Sequence, residues 1–299
     1  MKIFIVGASG FVGSGIAHHL AATHEVFGLA RSDAATEKVK ALGATAVAGS
    51  VEDLSTLVRY AGEADATVFV PQLMQDVEQQ TVTALLKAYA RTGKTFVFTS
   101  GTGVLGQRTL GEWSEDTFAE DDEFVPSKYL TTRRHTELLV RASAQNGVRG
   151  MVVRPPAIWG DGYHPFINDI LTSINKTGAA CYIGRGLNLY THVSLDDLAA
   201  LYGLVLERGT AGALYHAAGG ELNNRTVAEC VAQVRGVSAR GVTLEEAFEI
   251  WGKFTPLVTL GTCSRSRSPR SRCELGWVPH RTDLAQAILD GELDECQRP

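Results

Sequence analysis

Apolar residues fall along this chain in short runs separated by amphipathic stretches, and that alternation predicts strands and helices in turn. Ile3-Phe4-Ile5-Val6 opens the series and passes straight into Gly7-Ala8-Ser9-Gly10-Phe11-Val12-Gly13, after which Val12, Ile16 and Leu20 form one helical stripe. Further strands are predicted at Glu25-Val26-Phe27-Gly28-Leu29-Ala30, Thr45-Ala46-Val47-Ala48, Thr67-Val68-Phe69-Val70, Thr95-Phe96-Val97-Phe98 and Arg149-Gly150-Met151-Val152-Val153-Arg154. Between the fourth and fifth, Val77, Thr81, Ala84, Leu85 and Ala88 recur at helical spacing, a stripe that suits a core or a helix-helix face between two copies of the chain, a homodimer. Strands alternating with helices at this rhythm predict an α/β fold with a doubly wound parallel sheet. Ligands of such a sheet bind beyond the carboxyl ends of its strands, so Gly7, Arg31, Ser50, Pro71 and Ser100 are expected to converge.

The glycines after the first strand suggest what binds. Glycine lets the backbone turn sharply and approach a ligand closely, while a helix N-terminus offers free N–H groups and partial positive charge to a pyrophosphate. The spacing is Gly-x-x-Gly-x-x-Gly, one residue away from the Gly-x-Gly-x-x-Gly dinucleotide fingerprint. Gly7, Ser9, Gly10, Phe11, Val12 and Gly13 are therefore candidate cofactor contacts.

Composition narrows the class. With 299 residues the chain can bury a sizeable core, and a net charge of −5 argues against nucleic acid or an anionic membrane as partner. No apolar run approaches the roughly 18 residues of a membrane span, and glycine interrupts the N-terminal run too early for a signal peptide. Cys181, Cys230, Cys263, Cys273 and Cys296 are scattered, with no Cys-x-x-Cys pair; they read as reduced thiols of a cytoplasmic protein, with no metal site.

The glycine spacing resembles that of extended and atypical short-chain dehydrogenases/reductases, the superfamily that includes the NAD-dependent epimerases and dehydratases. Later motifs follow in the same order. Gly49-Ser50-Val51-Glu52-Asp53-Leu54 is similar to the segment bordering the adenine, with Ser50 at the usual acid and Asp53 expected to cap a helix. Tyr129-Leu130-Thr131-Thr132-Arg133, with Glu137 four residues on, resembles the Tyr-x-x-x-Lys pair, Arg133 replacing lysine. Arg154-Pro155-Pro156-Ala157-Ile158-Trp159-Gly160 resembles the turn near the nicotinamide, and Tyr190-Thr191-His192-Val193-Ser194-Leu195-Asp196-Asp197-Leu198-Ala199 resembles a His-Val-x-Asp-Asp-x-Ala segment. In that segment, His192 is expected to pack and Asp196 to help begin a helix.

The resemblance spans essentially the whole chain and implies a Rossmann core over 1–157 and 188–218, with a smaller substrate lobe over 158–187 and 219–299. It implies hydride transfer between a nicotinamide and a carbonyl or alcohol carbon, with Tyr129 as acid/base. A free tyrosine has a pKa near ~10 and needs a nearby cation to form phenolate. Arg133, expected on the same helical face as Tyr129, keeps that charge in a planar fork. Gly101 stands where a hydroxyl normally orients the substrate, leaving Thr102 and Ser100 as substitutes. At the second strand's end, Ala30 replaces the acid that would bind a ribose hydroxyl, so Arg31 and Ser32 suggest NADP(H) over NAD(H). Val51, Pro71, Gln72, Pro155 and Ile158 complete the expected cofactor contacts.

The leading expectation is an NADP(H)-dependent carbonyl reductase or alcohol dehydrogenase acting on a small molecule. A nucleotide-sugar epimerase/dehydratase and a non-enzymatic NADP(H)-binding sensor are alternatives. Trp113, Trp159, Tyr163, His164, Phe166 and Arg185 are candidate substrate contacts. The acidic Glu120-Asp121-Asp122-Glu123 is expected in a solvated loop or a mobile cover, and Ser264-Arg265-Ser266-Arg267-Ser268-Pro269-Arg270-Ser271-Arg272 as a folded structural element.

Overall fold

Seven of the apolar runs lie side by side, every pair parallel, in a computed structural model that describes residues 1–293; Cys296 falls outside them. The expected strands appear as β1 (Lys2–Val6), β2 (Glu25–Ala30), β3 (Thr45–Ala48), β4 (Ala66–Phe69), β5 (Thr95–Thr99) and β6 (Arg149–Arg154). Downstream come β7 (Ala157–Trp159), β8 (Ala179–Ile183), β9 (Leu189–Ser194), β10 (Leu214–His216), β11 (Gly220–Asn223) and β12 (Ser238–Val242). The order across the main sheet is β10-β6-β5-β4-β1-β2-β3. It reverses direction beside β1, which puts a crevice at the carboxyl ends of β1 and β4.

The helices are α1 (Phe11–Ala21), α2 (Asp33–Ala41), α3 (Leu54–Glu63), α4 (Gln75–Tyr89), α5 (Thr131–Ala142), α6 (Pro165–Thr177), α7 (Leu195–Arg208) and α8 (Asn224–Arg235). Residues alternate along each strand between two apolar layers. Ile3, Ile5, Val68, Val97 and Val153 pack against Ile16 and Leu20 of α1 and Leu198 and Val205 of α7. Phe4, Val6, Phe69, Phe98 and Val152 point the other way, onto Leu57 of α3, Leu85 of α4 and Val140 of α5. None of the helices among the described residues is long and apolar enough to cross a membrane.

Two smaller sheets extend the carboxyl end of the main one. β9 lies between β7, to which it is parallel, and β11, to which it is antiparallel; β8 pairs with β12. Trp159, Ile167, Ile170, Val227 and Val231 form a separate core beneath α6 and α8. Asp53 caps α3, its carboxylate accepting from the Thr56 N–H at 3.1 Å. Ser194 caps α7, with Asp196 in the first turn. His192 is buried, as expected of a packing residue.

The acidic loop and the serine-arginine stretch meet each other. Ser264, Ser266, Ser268 and Ser271 are buried while the arginines between them reach acids: Arg265 pairs with Glu221 at 3.0 Å, Arg267 with Asp122 at 3.4 Å, and Arg270 with Asp121. Glu120 is itself buried, its carboxylate facing the N–H groups of His216, Arg270 and Ser271, and burial pushes that carboxyl above its ordinary value. The acidic block is thus tied down at one end, because alternating inward serines and outward arginines present matching charge along an extended segment.

Candidate functional site

The turn after β1 requires glycine at two places. Gly7 has φ +91°, in the left-handed region, and a Cβ on Gly13 would lie 2.0 Å from the Gly7 carbonyl oxygen. Their absence of side chains lets the first turn of α1 lie directly on the end of β1. Helix α1 begins at Gly10 with no side-chain cap and no acid in its first turn, so the N-terminal N–H groups keep their donors and partial positive charge. Gly7, Ser9, Gly10, Phe11, Val12 and Gly13 all line one cavity of about 920 Å³. An anion such as a pyrophosphate fits this end of it.

The ends of β2, β3, β4 and β6 supply the flanks. Arg31 lines the cavity and is exposed, with no ion pair among the described residues. Ser32, beside it, is not on the wall: its hydroxyl accepts from the Ala35 N–H at 3.3 Å as the cap of α2. Ser50 and Val51 line the cavity, Ser50 Oγ accepting from the Glu52 N–H, and Pro71, Gln72, Pro155 and Ile158 line it further along.

At the end of β5, Ser100 and Thr102 flank Gly101 on the cavity wall, both buried, with Glu137 facing the Ser100 hydroxyl and Tyr190 the Thr102 hydroxyl. A hydroxyl can both donate and accept, so each of these two can still turn toward a ligand oxygen in the cavity. Arg133 lines the wall too, yet its Nη2 lies 2.8 Å from Glu78 Oε2 of α4, with both side chains buried. Burial pushes the Glu78 carboxyl above its ordinary value, against the pull of Arg133.

Tyr129 stands elsewhere. Helix α5 starts at Thr131, so Tyr129 occupies the turn before it and does not share a helical stripe with Arg133; it is 45 % exposed and does not line the cavity. Lys128 lies over its ring, 5.1 Å from the centroid. Of the expected Tyr129–Arg133 pair, only Arg133 lines the cavity. Glu137 and Arg154 are: Arg154 Nε donates to Glu137 Oε1 at 2.8 Å in full burial. Desolvation raises the Glu137 carboxyl, but Arg154 outweighs it and holds the group below its usual range.

The end of the cavity away from Arg31 is aromatic. The Tyr163 ring packs on Phe11 at 4.6 Å, and Phe166 meets Tyr190 edge-on at 4.9 Å; Phe254 and Val258 close the rim. Tyr163 and Phe166 were legible as candidates, whereas Trp159 is buried in the core, His164 caps α6, and Trp113 and Arg185 are exposed away from the wall. Tyr190, Phe254 and Val258 were missed. Tyr190 sits within a quoted motif, but nothing in a strand's period-two pattern says which face meets a cavity. No group of three His, Cys, Asp or Glu among the described residues is placed to hold a metal ion.

The sequence model of the NAD dependent epimerase/dehydratase family matches residues 3–218. The chain belongs to that family. An uncharacterized protein of Saccharomyces cerevisiae is 30% identical over 301 residues, 96% of this chain and 98% of that protein. A 4-hydroxy-2-methyl-3-oxo-4-farnesyl-3,4-dihydroquinoline-1-oxide ketoreductase of Stigmatella aurantiaca is 27% identical over 257 residues, 80% of this chain and 75% of that one. Among solved structures, a dTDP-glucose 4,6-dehydratase of Streptomyces venezuelae shares the fold with a TM-score of 0.77 at 23% identity, covering 99% of this chain and 96% of its own.

Proposed function

We propose that this family member is an NADP(H)-dependent oxidoreductase that moves hydride between the nicotinamide and a carbonyl or alcohol carbon of an uncharged, largely apolar small molecule. The observation that carries the cofactor reading is Arg31, an unpaired cation on the cavity wall at the end of a strand whose last residue, Ala30, offers no acid to a ribose hydroxyl. When bound, the dinucleotide supplies the hydride. The first turn of α1 would hold its pyrophosphate, Arg31 would meet the 2′-phosphate, and the buried Ser100 and Thr102 hydroxyls on the wall would receive the reacting oxygen. The aromatic end excludes water from that oxygen.

A nucleotide-sugar epimerase or dehydratase is the second reading, favoured by the family and by the dehydratase fold. It needs cations for a second diphosphate. Arg31 and Arg133 are the lysines and arginines on the described wall; the first lies at the adenine end and the second is neutralised by Glu78. The ketoreductase relative, named for a substrate that carries a farnesyl chain, supports the apolar reading instead. Calorimetry with NADPH and NADH tests the proposal: NADPH should bind at least about tenfold tighter, and Arg31→Ala should erase the difference, as loss of one charge-assisted phosphate contact implies. Tighter binding of NADH to the wild-type chain would overturn it.

A further inference from the structure

The reaction just proposed needs a hydroxyl that can reach the substrate oxygen, and Tyr129 lies outside the cavity. Another tyrosine hydroxyl is built into the same corner as Thr102. Tyr190 projects from β9 onto the cavity wall, its ring held edge-on by Phe166 at 4.9 Å. A Cβ on Gly103 would come within 3.9 Å of its Oη, so the phenol oxygen lies over the glycine turn that follows β5. The backbone on either side of Tyr190 is fixed by Ser264: the Ser264 N–H donates to the Leu189 carbonyl and the Thr191 N–H to the Ser264 carbonyl, each at 2.9 Å. The Ser264 hydroxyl in turn donates to the Thr102 carbonyl at 2.8 Å. Ser264, Thr102 and Tyr190 thus form one cluster joining β9, the end of β5 and the serine-arginine stretch.

Resting on the hydride-transfer reading, we propose that Tyr190, with Thr102 beside it, is the catalytic hydroxyl that binds the carbonyl oxygen and gives it a proton. In the reductive direction, hydride from the dihydronicotinamide forms the new C–H bond and the carbonyl π pair moves onto oxygen. The Tyr190 Oη–H bond breaks as its proton passes to that oxygen, and the phenolate takes a proton back from solvent water. Thr102 Oγ1, beside the Tyr190 hydroxyl, donates a second hydrogen bond to the same oxygen. Burial pushes the Tyr190 phenol above its ordinary value, with the Ser264 and Thr102 hydroxyls pulling the other way, so the group rests in its protonated, donating form. Arg133 does not drive it toward phenolate, because Glu78 already holds that charge.

Tyr190→Phe, Thr102→Val and Tyr129→Phe chains, each checked for an unchanged melting temperature and NADPH affinity, test the assignment on a panel of neutral aromatic and aliphatic ketones and aldehydes. Tyr190→Phe should lower turnover by about a hundredfold or more, the usual worth of a positioned acid, and Tyr129→Phe should leave it within a few-fold. A second readout needs no turnover. Ultraviolet difference titration of tyrosine in the wild-type chain should show one ionisation that moves to lower pH when NADP⁺, whose nicotinamide carries positive charge, is added; Tyr190→Phe should remove that movement. Persistence of the movement in Tyr190→Phe, its loss in Tyr129→Phe, or no movement at all with NADP⁺ bound would overturn the role of Tyr190. Failure of the wild-type chain to bind either dinucleotide would instead overturn the reading beneath it.

Discussion

The Arg133 guanidinium and the Glu78 carboxylate meet at 2.8 Å with both residues under 10 % exposed, joining α5 to α4 beneath the cavity wall. Arg133 Nε and Glu78 Oε1 have no partner, so the pair is held by a single close contact. Removing one member strands the other's charge in low dielectric. Glu78→Gln should cost about 3–5 kcal/mol in urea unfolding, whereas Glu78→Leu combined with Arg133→Met should recover most of that loss. A cost below about 1 kcal/mol for Glu78→Gln, the range of exposed pairs, would show that water reaches the pair.

The two glycines that begin α1 should respond differently to alanine. At Gly13 the added methyl meets the Gly7 carbonyl at 2.0 Å, so Gly13→Ala forces β1 and α1 apart and should cost about 1–3 kcal/mol in stability, as overpacking does. At Gly10 the nearest atom is 3.4 Å away, an ordinary contact. Gly10→Ala should therefore keep stability within about 1 kcal/mol, the scale of a cap change, while weakening NADPH in calorimetry because the methyl occupies the pyrophosphate's place.

Three buried histidines set an acid limit. Desolvation lowers His164 to about 3 and His192 and His216 each to about 4, with His192 acting further on His164 and Arg154 on His216. In the unfolded chain each takes up a proton near ~6.5. Between that pH and about 4 the unfolded state binds more protons, so stability falls as pH drops through the window, by about 1.4 kcal/mol per pH unit for each histidine. Glu78 and Glu120, whose carboxyls are raised, oppose this at the acid end. Urea midpoints at pH 7.5, 6 and 5 should decline steadily, and His216→Gln should flatten the decline by one proton's worth.

Asp197 ties the C-terminal residues to α7. Its carboxylate accepts from Ser194 Oγ at 2.7 Å and from the His280 and Arg281 N–H groups at 2.8 and 2.9 Å, while its carbonyl accepts from Trp277 Nε1 at 2.9 Å. Bonds to a charged acceptor contribute roughly 1.5–3 kcal/mol each, and Asp197→Ala leaves donors unpaired; a loss of at least about 3 kcal/mol in thermal or urea unfolding is expected. A loss under about 1 kcal/mol would mean that water replaces the carboxylate. The neighbouring Asp196→Ala, at an exposed position, should be close to neutral.

Much of the fold was legible because buried parallel strands are written as apolar runs, and β1, β2, β4, β5 and β6 announce themselves in that way, while β3, partly exposed at the other edge, shows only a short one. The edge strand β10, only Leu214–His216, is too short to show a pattern. The cradle was legible through Gly7 and Gly13, whose positions tolerate no side chain. The far wall was not. Whether Tyr129 falls on α5 depends on where that helix starts, and the sequence marks no cap there: Leu130 precedes the first turn without a side-chain bond. Arg133 could be read as a replacement cation, but its neutralisation by Glu78 is a contact across 55 residues that no local spacing encodes. Tyr190 was hidden for the same reason, since its surroundings come from Thr102, Phe166 and Ser264, each on a different segment.

The Ser264 contacts also bear on the order in which the protein can become competent as it leaves the ribosome. The cradle and all seven central strands are complete by His216, so a nascent chain can form the sheet and the dinucleotide end early. Ser264 emerges 48 residues after His216 and must then insert between β9 and the turn after β5, while Arg267 and Arg270 find acids synthesised about 145 to 149 residues before them. Nascent chains released before Ser264 should therefore bind dinucleotide while lacking the contacts that fix the backbone on either side of Tyr190.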